Sequence, residues 1–90
     1  MSVEELAALP NLGERSATML VRAGITDEHE LRALGAVEAY IAVREAGVKT
    51  SLNLLYAIEG ALTGVHWNRI GAARRESLLM EVDARMSDGR

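Results

Sequence analysis

A chain of 90 residues with a formal net charge of −3 and a pI near 5.3 has room for one small domain, residues 1–90, and its acidic balance weighs against wholesale wrapping of DNA, but not against one local contact. Apolar residues make up 49% and aromatic ones only 3%, with no Phe, so the core must be Leu, Ile, Val, Met and Ala, the residues of closely packed helices. With no Cys there is no disulfide or thiolate metal site, no run approaches the ~18 apolar residues of a membrane span, and the acidic opening "MSVEEL" is not a signal peptide, so a cytoplasmic protein is expected.

The first element is a short helix over "SVEELAAL", with Ser2 as its cap and Glu5 in the capping-box position, stopped by Pro10. A second begins near Glu14, buries Ala17, Leu20 and Val21, keeps Glu14, Thr18 and Arg22 wet, and closes at Gly24. Thr26 is expected to cap a third, "DEHELRAL", which ends at Gly35. The fourth runs from about Ala36 to Ala46, with Val37, Tyr40, Ile41 and Arg44 on one face and Gly47 closing it. Thr50 or Ser51 caps the fifth, "LNLLYAIEGAL", which is apolar nearly all round and so should be central, with Leu55 and Ile58 in the middle of the core. Gly60 inside it calls for a neighbour pressed against that spot, and Gly64 ends it. The last helix spans about Ala72 to Met86, with Leu78, Leu79, Val82 and Met86 as its apolar stripe, before a frayed "SDGR". No alternating strand pattern occurs, so the fold class is all-α: a small single domain of five to six short helices.

Two stretches echo each other. "ELAALPNLGERSATMLVRAGI" overlays "ELRALGAVEAYIAVREAGV", as a duplicated helix-turn-helix unit whose second copy has lost the "PNLG" insertion, or as a chance similarity of two short stretches.

In the first copy the order aliphatic-Pro-x-aliphatic-Gly followed by a helix matches the helix-hairpin-helix motif, with Asn11 where that motif usually carries Gly. Asparagine is the non-glycine residue most tolerant of left-handed backbone, so the turn can survive the exchange. Such a hairpin leaves N–H groups open at the start of its second helix, where the helix dipole is positive, and these form a phosphate site. Asn11, Gly13, Arg15 and Ser16 are the candidate nucleic-acid-binding residues, with Glu14 repelling an anion beside them. Gly13 is expected to hold a positive φ or to touch the facing backbone. Arg69, Arg74 and Arg75 add a modest basic cluster near the start of the last helix, partly offset by Glu76; a solvated face is its default reading.

"LPNLGERSATMLVRAGI", "ELRALGAVEAYIAVREAG" and "SLNLLYAIEGALTGVHW" together resemble the C-terminal domain of the TfoX/Sxy family, bacterial proteins linked to the regulation of natural competence. The resemblance covers Leu6 to about Leu79. It implies a helical domain related to helix-hairpin-helix folds, standing without the N-terminal domain that longer members carry, and it supplies no catalytic residues.

Other residues point to no further chemistry. His29 and His66 are far apart with no carboxylate or thiol cluster, so no metal is expected; no cofactor fingerprint, catalytic triad or phosphate loop is present, so the protein is read as a non-enzyme. Trp67 reads as a staple of a helix junction, Tyr40 and Tyr56 as core-edge residues. Asn53 and Glu59 need partners if buried, and Asn53 can instead cap its own helix. The expected function is a non-enzymatic regulatory module that contacts duplex DNA weakly and without sequence preference through the hairpin. The alternative is a protein-interaction module, binding a regulatory protein or forming a homodimer, with no membrane contact.

Overall fold

Five α-helices and one 3₁₀ turn make up residues 2–88, the part of the chain that the computed structural model describes: α1 (Ser2–Ala7), α2 (Glu14–Arg22), α3 (Glu28–Glu45), α4 (Leu52–Thr63) and α5 (Ala72–Asp88), with the 3₁₀ turn Trp67–Arg69 before α5. There is no strand among the described residues, and the class is all-α as expected. The side chains of Ser2 and Trp67, assigned above as a cap and a staple, lie outside the described set, as does the end of the "SDGR" tail. No helix is long and apolar enough to cross a membrane.

Glu5 reaches a different helix from the one it opens. Its Oε2 accepts from the Glu28 backbone N–H at 3.2 Å, so α1 caps the start of α3. Between α1 and α2 the Leu12 N–H donates to the Leu9 carbonyl at 3.2 Å, with Pro10 at the second turn position and Asn11, φ 69°, at the third. That is the pattern of a type II turn, whose third residue must be left-handed. Leu6 and Leu12 drop into the core beneath it.

α2 buries Ala17 and Leu20 and ends on Gly24 (φ 90°), where the Ile25 N–H reaches back to the Leu20 carbonyl at 2.9 Å. This six-to-one closure satisfies the last carbonyls of the helix and turns an aliphatic residue inward. α3 ends the same way: Gly47 has φ 80° and the Val48 N–H donates to the Val43 carbonyl at 3.3 Å.

The start of α3 differs from expectation by one residue. Asp27, not Thr26, is the cap: its Oδ1 accepts from the Glu30 N–H at 2.8 Å, while Glu30 Oε1 accepts from the Thr26 N–H at 2.8 Å and hydroxyl at 2.9 Å. Both residue types can cap, and the reach of Glu30 back to Thr26 places the latter one step outside the helix. Gly35 (φ 82°, ψ 169°) breaks α3 into the two arms expected as separate helices. The second arm buries Ala36, Ala39, Tyr40, Ile41 and Val43, and Arg44, on the same face as Tyr40, is exposed.

α4 is the central helix. Ser51 caps it, its Oγ accepting from the Asn53 N–H at 3.3 Å, and Leu55 and Ile58 are fully buried. Asn53 is exposed and does not cap with its side chain. The buried residues of all five helices form one hydrophobic cluster; Tyr40, expected at the core edge, is inside it at 1% exposure, and α5 enters it through Leu78. Leu79, expected on the inner stripe of α5, is 37% exposed instead, while Val82 and Met86 pack partly against the core.

The neighbour pressed on Gly60 is not a helix. A Cβ built there would lie 2.5 Å from the Val65 carbonyl oxygen and 2.6 Å from Asn11 Nδ2. Gly60→Ala is therefore expected to destabilise by roughly 1–3 kcal/mol through overpacking, despite an intrinsic helix gain of about 1 kcal/mol. Leu55→Ala should cost about 2–5 kcal/mol through lost burial and the cavity left behind. Urea midpoints at unchanged slope measure both; a midpoint raised by Gly60→Ala would remove the close approach from the account of this fold.

Candidate functional site

The hairpin is held from below. Asn11 Nδ2 donates to the Val65 carbonyl at 3.0 Å, across the bare backbone of Gly60. The side chain that accepts the left-handed turn thus also fastens it to the end of α4.

The turn delivers α2 to the surface through Gly13, which sits at φ −103°, ψ −176° with nothing within 4 Å of a built Cβ. The expectation of a positive φ or a tight contact there is wrong. The left-handed residue the turn needs is Asn11, so Gly13 is free to be an ordinary extended cap, and any side chain fits it. Having no side chain, Gly13 leaves the N–H groups of the first α2 turn without a side-chain cap. Arg15 is exposed there and Ser16 half-buried.

Asn11, Arg15 and Ser16 line one open groove of about 570 Å³. Its far wall is the loop leading into α4, with Lys49, Thr50 and Ser51, and its floor includes Met19 and Leu54. These loop residues were missed in the sequence: they lie more than thirty positions from the hairpin, and the one signal was a lysine followed by two hydroxyl residues just before a helix, "KTS". Glu14 does not line this groove; it edges the adjoining hollow with Arg22 and Lys49.

The second group of candidates is not brought to the groove. Arg74 Nε donates to Glu59 Oε2 at 2.7 Å, which gives the buried carboxylate on α4 its partner. That hydrogen bond, opposed by burial and aided by the charges of Glu59 and Glu81, raises the guanidinium above its usual pKa. Arg75 donates from Nε to the Ile70 carbonyl at 3.2 Å, and its guanidinium sits 4.8 Å from the centroid of the buried Tyr56 ring. Arg69 is exposed at the end of the 3₁₀ turn, in a shallow hollow shared with Val65 and His66. His66 Nδ1 lies 2.7 Å from Asn68 Oδ1, His29 is exposed, and no group of residues suited to a metal ion occurs among the described residues.

Comparison with known proteins gives this architecture a context. The sequence profile described as the TfoX C-terminal domain matches residues 2–82. The chain is 32% identical over 81 residues to Protein Sxy of Escherichia coli, covering 90% of this chain and 39% of that protein. It is 31% identical over 78 residues to DNA transformation protein TfoX1 of Aliivibrio fischeri, covering 86% of this chain and 37% of that one. The chain thus spans about two fifths of the length of these curated relatives. Among solved structures, it aligns with the triclinic crystal form of an uncharacterized protein from Listeria monocytogenes at a TM-score of 0.79 and 31% identity, covering 90% of this chain and 92% of that one. A tetragonal form of a Listeria monocytogenes protein of unknown function aligns at 0.77 and 33% identity, over 83% and 93% of the two chains.

Since Arg74 holds the buried Glu59, Arg74→Ala should cost about 1–3 kcal/mol by leaving that carboxylate unpaired. Arg69→Gln, at an exposed position, should leave the urea midpoint unchanged within about 0.5 kcal/mol. Equal midpoints for the two variants would contradict the structural role given to Arg74.

Proposed function

The chain belongs to the TfoX C-terminal domain family, and from that membership we propose that it is a non-catalytic regulatory module, acting in the cytoplasm in the control of DNA transformation and contacting nucleic-acid backbone through the turn from Asn11 to Ser16. The name of the Aliivibrio fischeri relative supplies the process. The observation that carries the contact is the helix-hairpin-helix-like turn itself. It holds Asn11 left-handed, leaves the first turn of α2 with no side-chain cap, and sets an exposed Arg15 beside it. Open N–H groups at the positive end of a helix, with a guanidinium alongside, are suited to a phosphate group and indifferent to base sequence. A protein-partner or homodimer reading is favoured by a different feature: Leu79 and Met80, 37% and 67% exposed, lie side by side on the outer face of α5.

Fluorescence anisotropy with a labelled duplex at low salt tests the contact. Binding should be weak, blind to sequence and steeply salt-dependent. Arg15→Ala should lower the slope of log affinity against log salt by about one, as one phosphate contact is lost. Glu14→Gln should tighten binding by removing a like charge. Binding unmoved by both substitutions would reduce the hairpin to a structural turn.

A further inference from the structure

The charges of this chain are sorted by face. Among the described residues Arg32 is paired with Glu28 at 2.8 Å, Arg74 with Glu59 at 2.7 Å, and Arg85 with Glu38. Arg75 is turned onto Tyr56. Arg15, Arg22, Arg44, Lys49 and Arg69 have no carboxylate within salt-bridge distance among the described residues, and all are exposed. All of these except Arg69 line a row of three adjoining hollows, taken together as one depression. Arg15 and Lys49 line the groove between α2 and the loop before α4; Arg15, Arg22 and Lys49 line the hollow next to it; Arg44 and Lys49 line the one beyond. Lys49 belongs to all three. Glu14 is the single carboxylate on these walls, and Glu45 is exposed next to Arg44 in sequence without lining them.

We propose that this depression is a phosphodiester track, in which Arg22, Arg44 and Lys49 continue the contact that Arg15 begins at the hairpin. The proposal rests on the nucleic-acid reading above and extends it to a second wall of the molecule. In a chain whose net charge is −3, four cations on one face with no carboxylate partner, of which Arg44 also donates to the Tyr40 hydroxyl at 3.3 Å, form a local field opposed to that of the whole, which orients an approaching polyanion. The remaining polar lining is of the kind that binds phosphate oxygens: the hydroxyls of Ser16, Thr50 and Ser51 and the amide of Asn53. An acidic protein segment would satisfy the same cations but has a planar, flexibly placed carboxylate rather than a regular chain of tetrahedral anions.

The test uses the intact chain, a fluorescein-labelled duplex and a salt titration. With four cations engaged, the slope of log affinity against log salt should be about −3 to −4. Lys49→Gln and Arg22→Gln should each weaken binding about 3- to 10-fold at low salt and lower the slope by about one, and Arg69→Gln should change neither. All three positions are exposed, and unchanged urea midpoints confirm that the variants are folded. If Arg15→Ala weakens binding while Lys49→Gln and Arg22→Gln do not, the track is overturned and the hairpin contact stands. If the last two weaken it and Arg15→Ala does not, the track stands and the hairpin contact falls. Absence of duplex binding at low salt overturns both. Poly-glutamate that binds more tightly than duplex at equal charge overturns the nucleic-acid assignment in favour of an acidic protein segment.

Discussion

The hydrogen bond from the Asn11 amide to the Val65 carbonyl organises this small protein. Pro10 stops α1 and forces a turn whose third residue must be left-handed, a conformation that costs a non-glycine residue free energy. Asparagine offsets that cost with a side chain that reaches across the molecule and satisfies a carbonyl beyond the end of α4. The bond exists only because Gly60 has no side chain: its bare backbone is the gap through which the amide passes. One interaction thus fixes the hairpin angle, the exit of the central helix and the direction in which α2 leaves the turn. The presentation of Arg15 and Ser16 depends on all three.

The two halves of the N-terminal region share an ending and differ in the middle. Both α2 and α3 close on a left-handed glycine with a six-to-one hydrogen bond that sends Ile25 or Val48 inward, and both bury a residue one turn earlier, Leu20 or Val43. Their turns are not alike. The first stretch has a full type II turn that shows a helix start to solvent; the second has only Gly35, whose non-helical φ and ψ separate two helical arms without a further turn residue. The second arm starts at the buried Ala36, whereas Glu14 and Arg15 at the start of α2 are exposed. The Val48 closure of the second copy has a different use: it releases the chain into the loop that carries Lys49 to the α2 wall.

What could be read from the residues was what depends on backbone chemistry. Glycine stops at Gly24, Gly47 and Gly64, the central place of Leu55 and Ile58, and the tolerance of Asn11 for a left-handed turn all follow from local rules, and the structure has each of them. What was misread depends on which of two similar groups wins. Thr26 and Asp27 can both cap, and Glu30 decides between them. Gly13 looked like the strained position because glycine usually is, yet the strain had been taken one turn position earlier by Asn11. Arg74 and Arg75 looked like a solvated basic patch because their partners, Glu59 and Tyr56, lie on another helix. Lys49 carried no sign of its neighbours, since only the packing of α4 against the hairpin brings its loop beside α2.

The attachment of α5 differs in kind from that of the other helices. Leu78 is its one fully buried side chain, and much of the remaining hold is ionic, through Arg74 to Glu59 and Arg85 to Glu38. Dissolved ions screen partly exposed ion pairs, a weakening that apolar burial does not undergo. The least costly excursion from the native state is then a partial opening in which α5 lifts away and the other four helices stay closed. Ionic strength sets how often that happens, so the protein carries one segment whose amide protection follows the electrolyte around it while the protection of α4 does not.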